Sequence, residues 1–269
     1  MMNEYTEEIF DEMANCAPFK NYLPEPTIAC VGIGGGGCNI TSKLERKLPG
    51  VRMICLNTDD ISNAKRDGVT SYTFGKNITV ENRDSGGYLN VGKKAMKDDF
   101  PGIYENIVEN ADLLIIISTL GGGTGSGGTI EMIRKCNEFS KPYRLYAIKP
   151  FEFEDNRKEV ADRAMEEIKK DARNLIVFDN NEFNGINDAN NFISEEINKF
   201  VKEAHKRLVK IYFDGFIKVL QSAAEKVFPD KKYELLLTRE KEMEQSNDDV
   251  ALELSISTDG PVGTGDFIG

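Results

Sequence analysis

The sequence contains a single histidine, His205, and five scattered cysteines with no CxxC pair. Because a protein zinc site needs several such ligands at close spacing, a His/Cys metal centre is excluded. The cysteines are typical of free thiols in a reducing compartment. Cys30 and Cys55 lie inside apolar runs, which predicts core packing rather than redox chemistry.

Basic residues are outnumbered by acidic ones, 34 to 45, and the formal net charge is -11. A surface for nucleic acid or anionic membrane needs a basic face, so direct binding to nucleic acid is not predicted. No apolar run approaches the roughly 18 residues of a membrane span, and residues 1–20 lack the apolar segment of a signal peptide. The sequence therefore predicts a cytoplasmic protein without membrane insertion.

Short apolar runs alternate with helical stretches from Thr27 onward. Strands are predicted at Ile28–Ile33, Met53–Asn57, Ser71–Phe74, Leu113–Ser118, Leu145–Ile148 and Leu175–Phe178. Helices are predicted between them, for example at Ile40–Leu48, Thr129–Phe139 and Arg157–Ala172. The alternation predicts an α/β fold with an open, mostly parallel sheet and helices on both faces.

The domain organisation follows from the same pattern. We predict an N-terminal leader (1–26), an α/β domain (27–185), a long central helix (186–228) and a reduced C-terminal segment (229–269). The central helix is indicated by an apolar stripe that runs from Ile193 to Val227 with steps of three and four residues. In the C-terminal segment, Tyr233–Thr238 and Val250–Thr258 predict a β-hairpin, followed by a flexible tail.

A first glycine-rich segment, Gly34–Gly37, follows the first predicted strand and precedes a helix. Glycines in this position let the backbone approach a phosphate closely, and the helix N-terminus favours an anion. Gly32, Gly34 and Gly37 also satisfy the dinucleotide fingerprint, with Asp59 near the expected distance. This segment alone leaves open a nicotinamide or flavin enzyme, or a tight turn that binds nothing.

A second glycine-rich segment, Gly121–Gly128, follows the predicted strand Leu113–Thr119. Both segments lie at carboxyl ends of parallel strands, where ligands bind in open α/β sheets. Two such segments can wrap a triphosphate from both sides, whereas a dinucleotide enzyme needs only one. Neither segment ends in the G-K-[ST] of a P-loop, so an ordinary P-loop NTPase is not predicted.

The second segment resembles the glycine signature of the tubulin/FtsZ family, GGGTGSG at 121–127. The first resembles FtsZ's first glycine loop, although Cys38 stands where FtsZ usually has glycine. Asn57-Thr58-Asp59 is similar to the N-T-D after the family's second strand. Ser85-Gly86-Gly87 occupies the place of the loop that senses the γ-phosphate.

Further segments also resemble the family, and they correspond to its contacts with the ribose and the base. Residues 149–154, KPFEFE, followed by Arg157, are similar to the FtsZ segment K-P-F-x-F-E-x-x-x-R. The resemblance implies that Glu154 faces the ribose and Arg157 the nucleotide's edge. It also implies that Asn180 and Asn190 contact the guanine.

The resemblance therefore implies a site for GTP or GDP with Mg²⁺, the metal being held by phosphate oxygens and water. The implied nucleotide-binding residues are Gly34, Gly35, Gly36, Gly37, Asn39, Asp59, Ser85, Gly86, Gly87, Gly121, Gly122, Gly123, Thr124, Gly125, Ser126, Glu154, Arg157, Asn180 and Asn190. No protein side chain is assigned to the metal.

The sequence departs from the family pattern after the central helix. FtsZ there has a loop of pattern G-x-x-N-x-D-x-x-D, which supplies acidic residues to the next subunit's nucleotide. This chain has Lys210 and Tyr212 at the Asn and first Asp positions, and only Asp214 remains as a candidate catalytic acid. The helix can run through this region without a loop.

Three functional hypotheses remain open. The first is a cytoskeletal, filament-forming GTPase that self-associates head to tail. The second is a GTP-binding switch that does not hydrolyse efficiently, or a partner of another FtsZ-like protein, and the missing acidic loop favours it. The remote third is a dinucleotide-dependent enzyme, which would bind NAD(H) and ignore GTP.

Overall fold

The computed structural model describes residues 25–44, 48–60, 67–79 and 85–227. Within them, six strands form one sheet in the order β3-β2-β1-β4-β5-β6, and every neighbouring pair is parallel. The strands are β1 (Ile28–Ile33), β2 (Val51–Asn57), β3 (Thr70–Thr73), β4 (Leu113–Thr119), β5 (Tyr143–Lys149) and β6 (Leu175–Asp179). The predicted parallel sheet is confirmed, with strand ends shifted by a few residues at most.

In the part of the chain that the structure describes, five α-helices connect or follow these strands. They are α1 (Gly34–Thr41), α2 (Leu89–Ile103), α3 (Gly123–Glu138), α4 (Asp155–Asp171) and α5 (Ile186–Val227). A π-helical turn, Tyr104–Val108, continues α2, and a 3₁₀ turn, Asn180–Glu182, follows β6.

Helices cover both faces of the sheet, as predicted. Apolar residues of α2, α3 and α4 share one core with the side chains that β1, β2, β4 and β5 direct to that face. On the other face, α1 packs against β1, β2 and β4, and Phe200 of α5 contacts Tyr146 of β5 with ring centroids 6.3 Å apart. Since the central strands are enclosed on both sides, nearly all their residues are buried, which explains their continuous apolar runs.

Two helices begin earlier than the sequence predicted. The first was expected at Ile40–Leu48 and the third near Thr129, but α1 starts at Gly34 and α3 at Gly123. The glycine-rich segments are therefore the first turns of helices rather than loops. Glycine is a poor helix former, and close backbone packing compensates for that cost at both places.

The described cysteines are core residues. Cys30, Cys38, Cys55 and Cys136 are fully buried. Burial raises the pKa of the Cys30 thiol to about 12, because the apolar surroundings disfavour the thiolate. The predicted packing role of Cys30 and Cys55 is confirmed.

Contacts divide the chain into two units, one of residues 25–205 and a second that includes residues 206–227. Helix α5 is continuous from Ile186 to Val227, with no break at residues 207–216. The predicted hairpin, Tyr233–Thr238 with Val250–Thr258, lies outside the described residues, as does most of the predicted leader. Of the helices described, none has the length and apolarity needed to cross a bilayer.

Candidate functional site

A pocket of about 620 Å³ lies in the unit of residues 25–205, at the carboxyl edge of the sheet. This volume is in the range of small-molecule and cofactor sites. Its lining includes twelve of the predicted site residues: Gly34, Gly35, Gly36, Asn39, Asp59, Gly122, Thr124, Gly125, Glu154, Arg157, Asn180 and Asn190. The fold thus brings together, from six segments of the chain, residues that the sequence separates by up to 156 positions.

Two helices begin at this pocket without a side-chain cap. The residues before α1 and α3 are Ile33 and Gly122, and neither side chain accepts a hydrogen bond from the helix. Neither helix has an acidic residue in its first turn. Uncapped N–H groups and the positive end of the helix dipole together favour an anion at both places.

The two glycine-rich turns pack directly against each other. A Cβ on Gly34 would lie 2.9 Å from the backbone N of Gly125, and Gly34 has a φ of +74°. A Cβ on Gly36 would overlap the side chain of Thr119, and one on Gly125 would overlap the Thr119 carbonyl oxygen. Only glycine allows this approach, which places the two helix N-termini in one pocket.

A layer of hydroxyl groups supports the first turn of α3. Ser118 Oγ donates to the Gly125 carbonyl oxygen at 2.9 Å, and Gly121 N donates to Ser126 Oγ at 2.9 Å. Thr124 Oγ1 lies 2.6 Å from Thr58 Oγ1 and 3.0 Å from Ser85 Oγ. These hydroxyl groups fix the backbone that faces the pocket.

Seven predicted residues do not line the pocket: Gly37, Ser85, Gly86, Gly87, Gly121, Gly123 and Ser126. Several of them support the lining from behind. A Cβ on Gly37 would overlap the Ile117 carbonyl oxygen, and Gly123 packs against Ser85 and the backbone of Tyr88. Gly86 and Gly87 have φ values of +63° and +79°, which glycine adopts without strain.

The other end of the pocket combines amides with apolar groups. Asn180 is 5% exposed, and its Oδ1 has no hydrogen-bond partner among the described residues. Asn190 lies in the second turn of α5, near Ile186. A buried acceptor without a partner is costly unless a ligand donates to it. This end therefore suits a planar ligand with polar edges.

Phe151 and Phe153 form an aromatic pair at the pocket. Their rings are stacked with centroids 5.1 Å apart, and Phe153 is 80% exposed. The sequence comparison had used these residues as part of a motif but had not assigned them to the site. The signal available in the sequence was that Phe153 directly precedes Glu154, a residue that the family resemblance assigns to the nucleotide.

Three charged side chains line the pocket: Asp59, Glu154 and Arg157. Arg157 Nη1 donates to Glu154 Oε1 at 3.0 Å, and the backbone N of Phe151 donates to Glu154 Oε2 at 3.3 Å. The lining thus has one more negative than positive charge. With Arg157 paired to Glu154, the backbone N–H groups of the two helix N-termini are the main donors that the lining offers an anion. No cluster of three or more metal-ligating side chains occurs in the described part of the chain.

Asp214 belongs to the second unit, where it is exposed on the continuous helix α5. The pocket is formed by the first unit alone. The catalytic role predicted for Asp214 stays a prediction.

Further lining residues were missed by the sequence reasoning: Asn57, Thr119, Leu120, Pro150 and Ile186. Asn57 and Thr119 are the last residues of β2 and β4. Their position at the carboxyl ends of parallel strands was the signal that could have identified them.

Comparison with known proteins gives a family for this architecture. The model of the tubulin/FtsZ family GTPase domain matches residues 27–188. The chain is 30% identical over 154 residues to the cell division protein FtsZ of Neisseria meningitidis, a match that covers 57% of this chain and 39% of that protein. It is 30% identical over 162 residues to the mitochondrial division protein fszB of Dictyostelium discoideum, a match that covers 59% of this chain and 44% of that protein. The chain therefore matches less than half the length of either relative.

Solved structures share the fold. An empty FtsZ dimer of M. jannaschii superposes with a TM-score of 0.56 at 20% identity, covering 88% of this chain and 63% of that one. The GDP-bound monomer of CetZ1 from Haloferax volcanii superposes with a TM-score of 0.55 at 23% identity, covering 64% of this chain and 58% of that one. At these identities the likeness establishes the fold alone. The family model, which spans more than half of the sequence, establishes that this chain belongs to the tubulin/FtsZ family.

Proposed function

We propose that the chain binds a guanine nucleotide in this pocket and that GTP promotes its self-association. The observation that carries the proposal is the meeting of two uncapped helix N-termini, at Gly34 and Gly123, in one pocket. This arrangement presents backbone N–H groups from two directions, as a di- or triphosphate requires. Relatives that resemble this chain include a GTPγS-bound protofilament of CetZ2 from Haloferax volcanii.

The amide end of the pocket would receive the base. Guanine presents two N–H donors on its Watson–Crick edge, and the buried Asn180 Oδ1 is an acceptor without a partner among the described residues. Asn190 lines the same end of the pocket. A site built to accept hydrogen bonds rejects a base whose edge lacks the donors, because its own polar groups are then left unpaired. By the family resemblance, Glu154 and Arg157 would contact the ribose and the nucleotide's edge.

Mg²⁺ would accompany the triphosphate. The charged lining residues, Asp59, Glu154 and Arg157, do not neutralise a ligand that carries several negative charges. A divalent ion held by phosphate oxygens and water would supply the missing positive charge.

A second candidate function is a GTP-dependent switch with little hydrolysis, acting alone or with another FtsZ-like protein. The observation that favours it is the continuity of α5 through residues 207–216. Lys210 and Tyr212 stand in this segment, and Asp214 is the acid there. An uninterrupted helix without the acidic loop does not provide the water-positioning carboxylates of a family GTPase.

One experiment separates the two candidates: GTP turnover per molecule measured against protein concentration, with Mg²⁺, beside equilibrium binding of GTP. Turnover that rises cooperatively with concentration would support a polymerising GTPase whose subunits complete one another's sites. Tight binding with turnover near zero at every concentration would support the switch.

The Asp214→Asn variant refines this test, since it removes the candidate acid while leaving the pocket of the first unit unchanged. Loss of turnover with retained GTP binding would support a catalytic role for Asp214. No GTP binding by the wild-type chain would overturn both candidates.

A further inference from the structure

Three hydroxyl-bearing side chains meet behind the pocket. Thr124 Oγ1 lies 2.6 Å from Thr58 Oγ1 and 3.0 Å from Ser85 Oγ, and all three residues are at most 4% exposed. They come from three separate segments: the end of β2, the segment before α2 and the first turn of α3. We name Thr58, Ser85 and Thr124 the hydroxyl cluster.

Each member of the hydroxyl cluster adjoins the pocket. Thr124 lines it, and Thr58 stands between the lining residues Asn57 and Asp59. The Thr58 backbone N donates to Asn57 Oδ1 at 2.9 Å, which fixes one lining side chain to the cluster. A Cβ on Gly123, the first residue of α3, would lie 2.5 Å from Ser85 Oγ, so Ser85 lies close beside the start of that helix. The cluster thus lies directly beside lining groups on two segments.

The first turn of α3 depends on such external support. It consists of Gly123, Thr124, Gly125 and Ser126, and no side chain caps it. Two glycines in one turn lower its intrinsic helical stability, so contacts must hold it in place. Thr124 is the residue of that turn whose side chain joins it to both the β2 end and the Ser85 segment.

We propose that the hydroxyl cluster positions the N–H groups of α3 for the phosphates, with Thr58 and Ser85 as positioning residues that act through Thr124. A hydroxyl group can accept two hydrogen bonds and donate one. Two neighbouring hydroxyls therefore restrain the Thr124 side chain in two directions, and buried networks of this kind are rigid when satisfied. This inference rests on the proposed function, because it names the groups that prepare the same pocket for phosphate.

Near-isosteric substitutions test the proposal. Thr58→Val retains the side-chain volume and removes the hydroxyl, and Ser85→Ala removes the second hydroxyl. We expect each variant to bind GDP and GTP about tenfold more weakly, the loss that follows from one net hydrogen bond. Thr58→Ser keeps the hydroxyl and should restore binding to within about twofold of wild type. Affinity for guanosine, which has no phosphate, should not change.

Thr129→Val is the matched control. Thr129 lies on the same helix and is fully buried, and its Oγ1 has no hydrogen-bond partner among the described residues. Removing that hydroxyl should leave nucleotide binding unchanged. Binding is measured by equilibrium dialysis with radiolabelled guanosine, GDP and GTP, beside thermal denaturation of each variant.

The outcomes are distinct. Selective loss of GDP and GTP with rescue by Thr58→Ser would support the hydroxyl cluster. Normal GDP binding by folded Thr58→Val and Ser85→Ala, or equal loss of guanosine and GDP, would overturn it while leaving the proposed function standing. A wild-type chain that binds no guanine nucleotide would overturn the proposed function and this inference together. If Thr58→Val does not fold, GDP and guanosine binding by Ser85→Ala decides whether the proposal for the hydroxyl cluster stands.

Discussion

Gly35 and Gly36 are neighbours in the first turn of α1, yet a side chain at the two positions meets different surroundings. A Cβ on Gly35 would have no atom within 4 Å, and Gly35 lines the pocket. We expect Gly35→Ala to leave the melting temperature unchanged or raise it, since alanine is favoured over glycine in helices by about 1 kcal/mol. The same methyl group should weaken GDP binding at least tenfold, because it occupies space that the phosphates need. Thermal denaturation and GDP titration measure the two effects.

Gly36→Ala is the matched comparison for that prediction. Its Cβ would overlap the Thr119 side chain, so the strand end or the helix must shift. We expect this variant to lose both stability and GDP binding. Wild-type GDP affinity in Gly35→Ala would contradict the placement of the phosphates at the α1 N-terminus.

Asn180 provides a second prediction at the residue scale. Its buried Oδ1, unpartnered among the described residues, destabilises the empty protein, since burying an unmade hydrogen bond costs about 1–3 kcal/mol. We expect Asn180→Leu to keep the empty protein at least as stable as wild type while weakening GTP binding about tenfold or more. ATP binding, measured in the same competition assay, should change little. Equal effects on GTP and ATP would contradict a base-recognition role for Asn180.

Much of the pocket lining could be predicted from the sequence, but the hydrogen bonds that hold the lining in place could not. Gly34, Asn180 and Asn190 were found through the family resemblance, because each belongs to a recognisable local pattern. The contact of Thr58 with Thr124 joins residues 66 positions apart, and that of Ser85 with Thr124 joins residues 39 apart. No local pattern encodes such hydrogen bonds, since serine and threonine are compatible with many environments.

At the scale of elements, the strands were predicted more accurately than the helix starts. A strand such as β4, which is buried on both faces, is marked by its continuous apolar run. The start of α3 carries no such mark, because Gly123 and Gly125 disfavour a helix by about 1 kcal/mol each. Contacts with β4 and α2 outweigh that preference: Gly125 packs on Thr119, and Gly92 of α2 packs on the Gly123 carbonyl. Tertiary packing therefore decides where the helix begins.

An ion network joins three helices on one face of the sheet. Lys93 of α2 and Arg134 of α3 both donate to Glu167 of α4, at 2.6 and 2.9 Å, and Arg134 also bonds Asp171. The hydrogen bond from Lys93, with a contribution from Arg134, holds the pKa of Glu167 below its ordinary value. A carboxylate with a lowered folded pKa stabilises the fold above its unfolded pKa, about 4.3, and loses that contribution as the pH falls through the folded value.

We therefore expect Glu167→Gln to be less stable than wild type at neutral pH, and the difference to shrink as the pH falls below about 4. Urea denaturation at several pH values measures it. Glu159→Gln is the control, because its ion pair with Arg163 is largely exposed and such pairs contribute little. A difference for Glu167→Gln that is constant with pH would mean that packing, not charge, accounts for its effect.

At the scale of the whole molecule, the net charge of -11 opposes self-association. Raising the salt concentration from about 10 to 150 mM shortens the screening length from about 30 to 8 Å, which weakens repulsion between like-charged copies. We expect the GTP-dependent self-association to strengthen over this range, measured by sedimentation velocity with Mg²⁺ and GTP. Weaker association at higher salt would show that local ion pairs across the contact outweigh the net repulsion.

The pairing of two uncapped helix N-termini has a consequence for how the site responds to acidity. Backbone amides neither gain nor lose protons in the physiological range, and the lining residues that the structure describes include no histidine or cysteine. His205, the one histidine of the sequence, lies on α5, with its Nε2 3.1 Å from the Pro49 carbonyl oxygen. Among the described residues, the pocket therefore offers no histidine or thiol that could act as a proton-operated control. Between about pH 6 and 8, affinity should follow the ionisation of the nucleotide's own terminal phosphate.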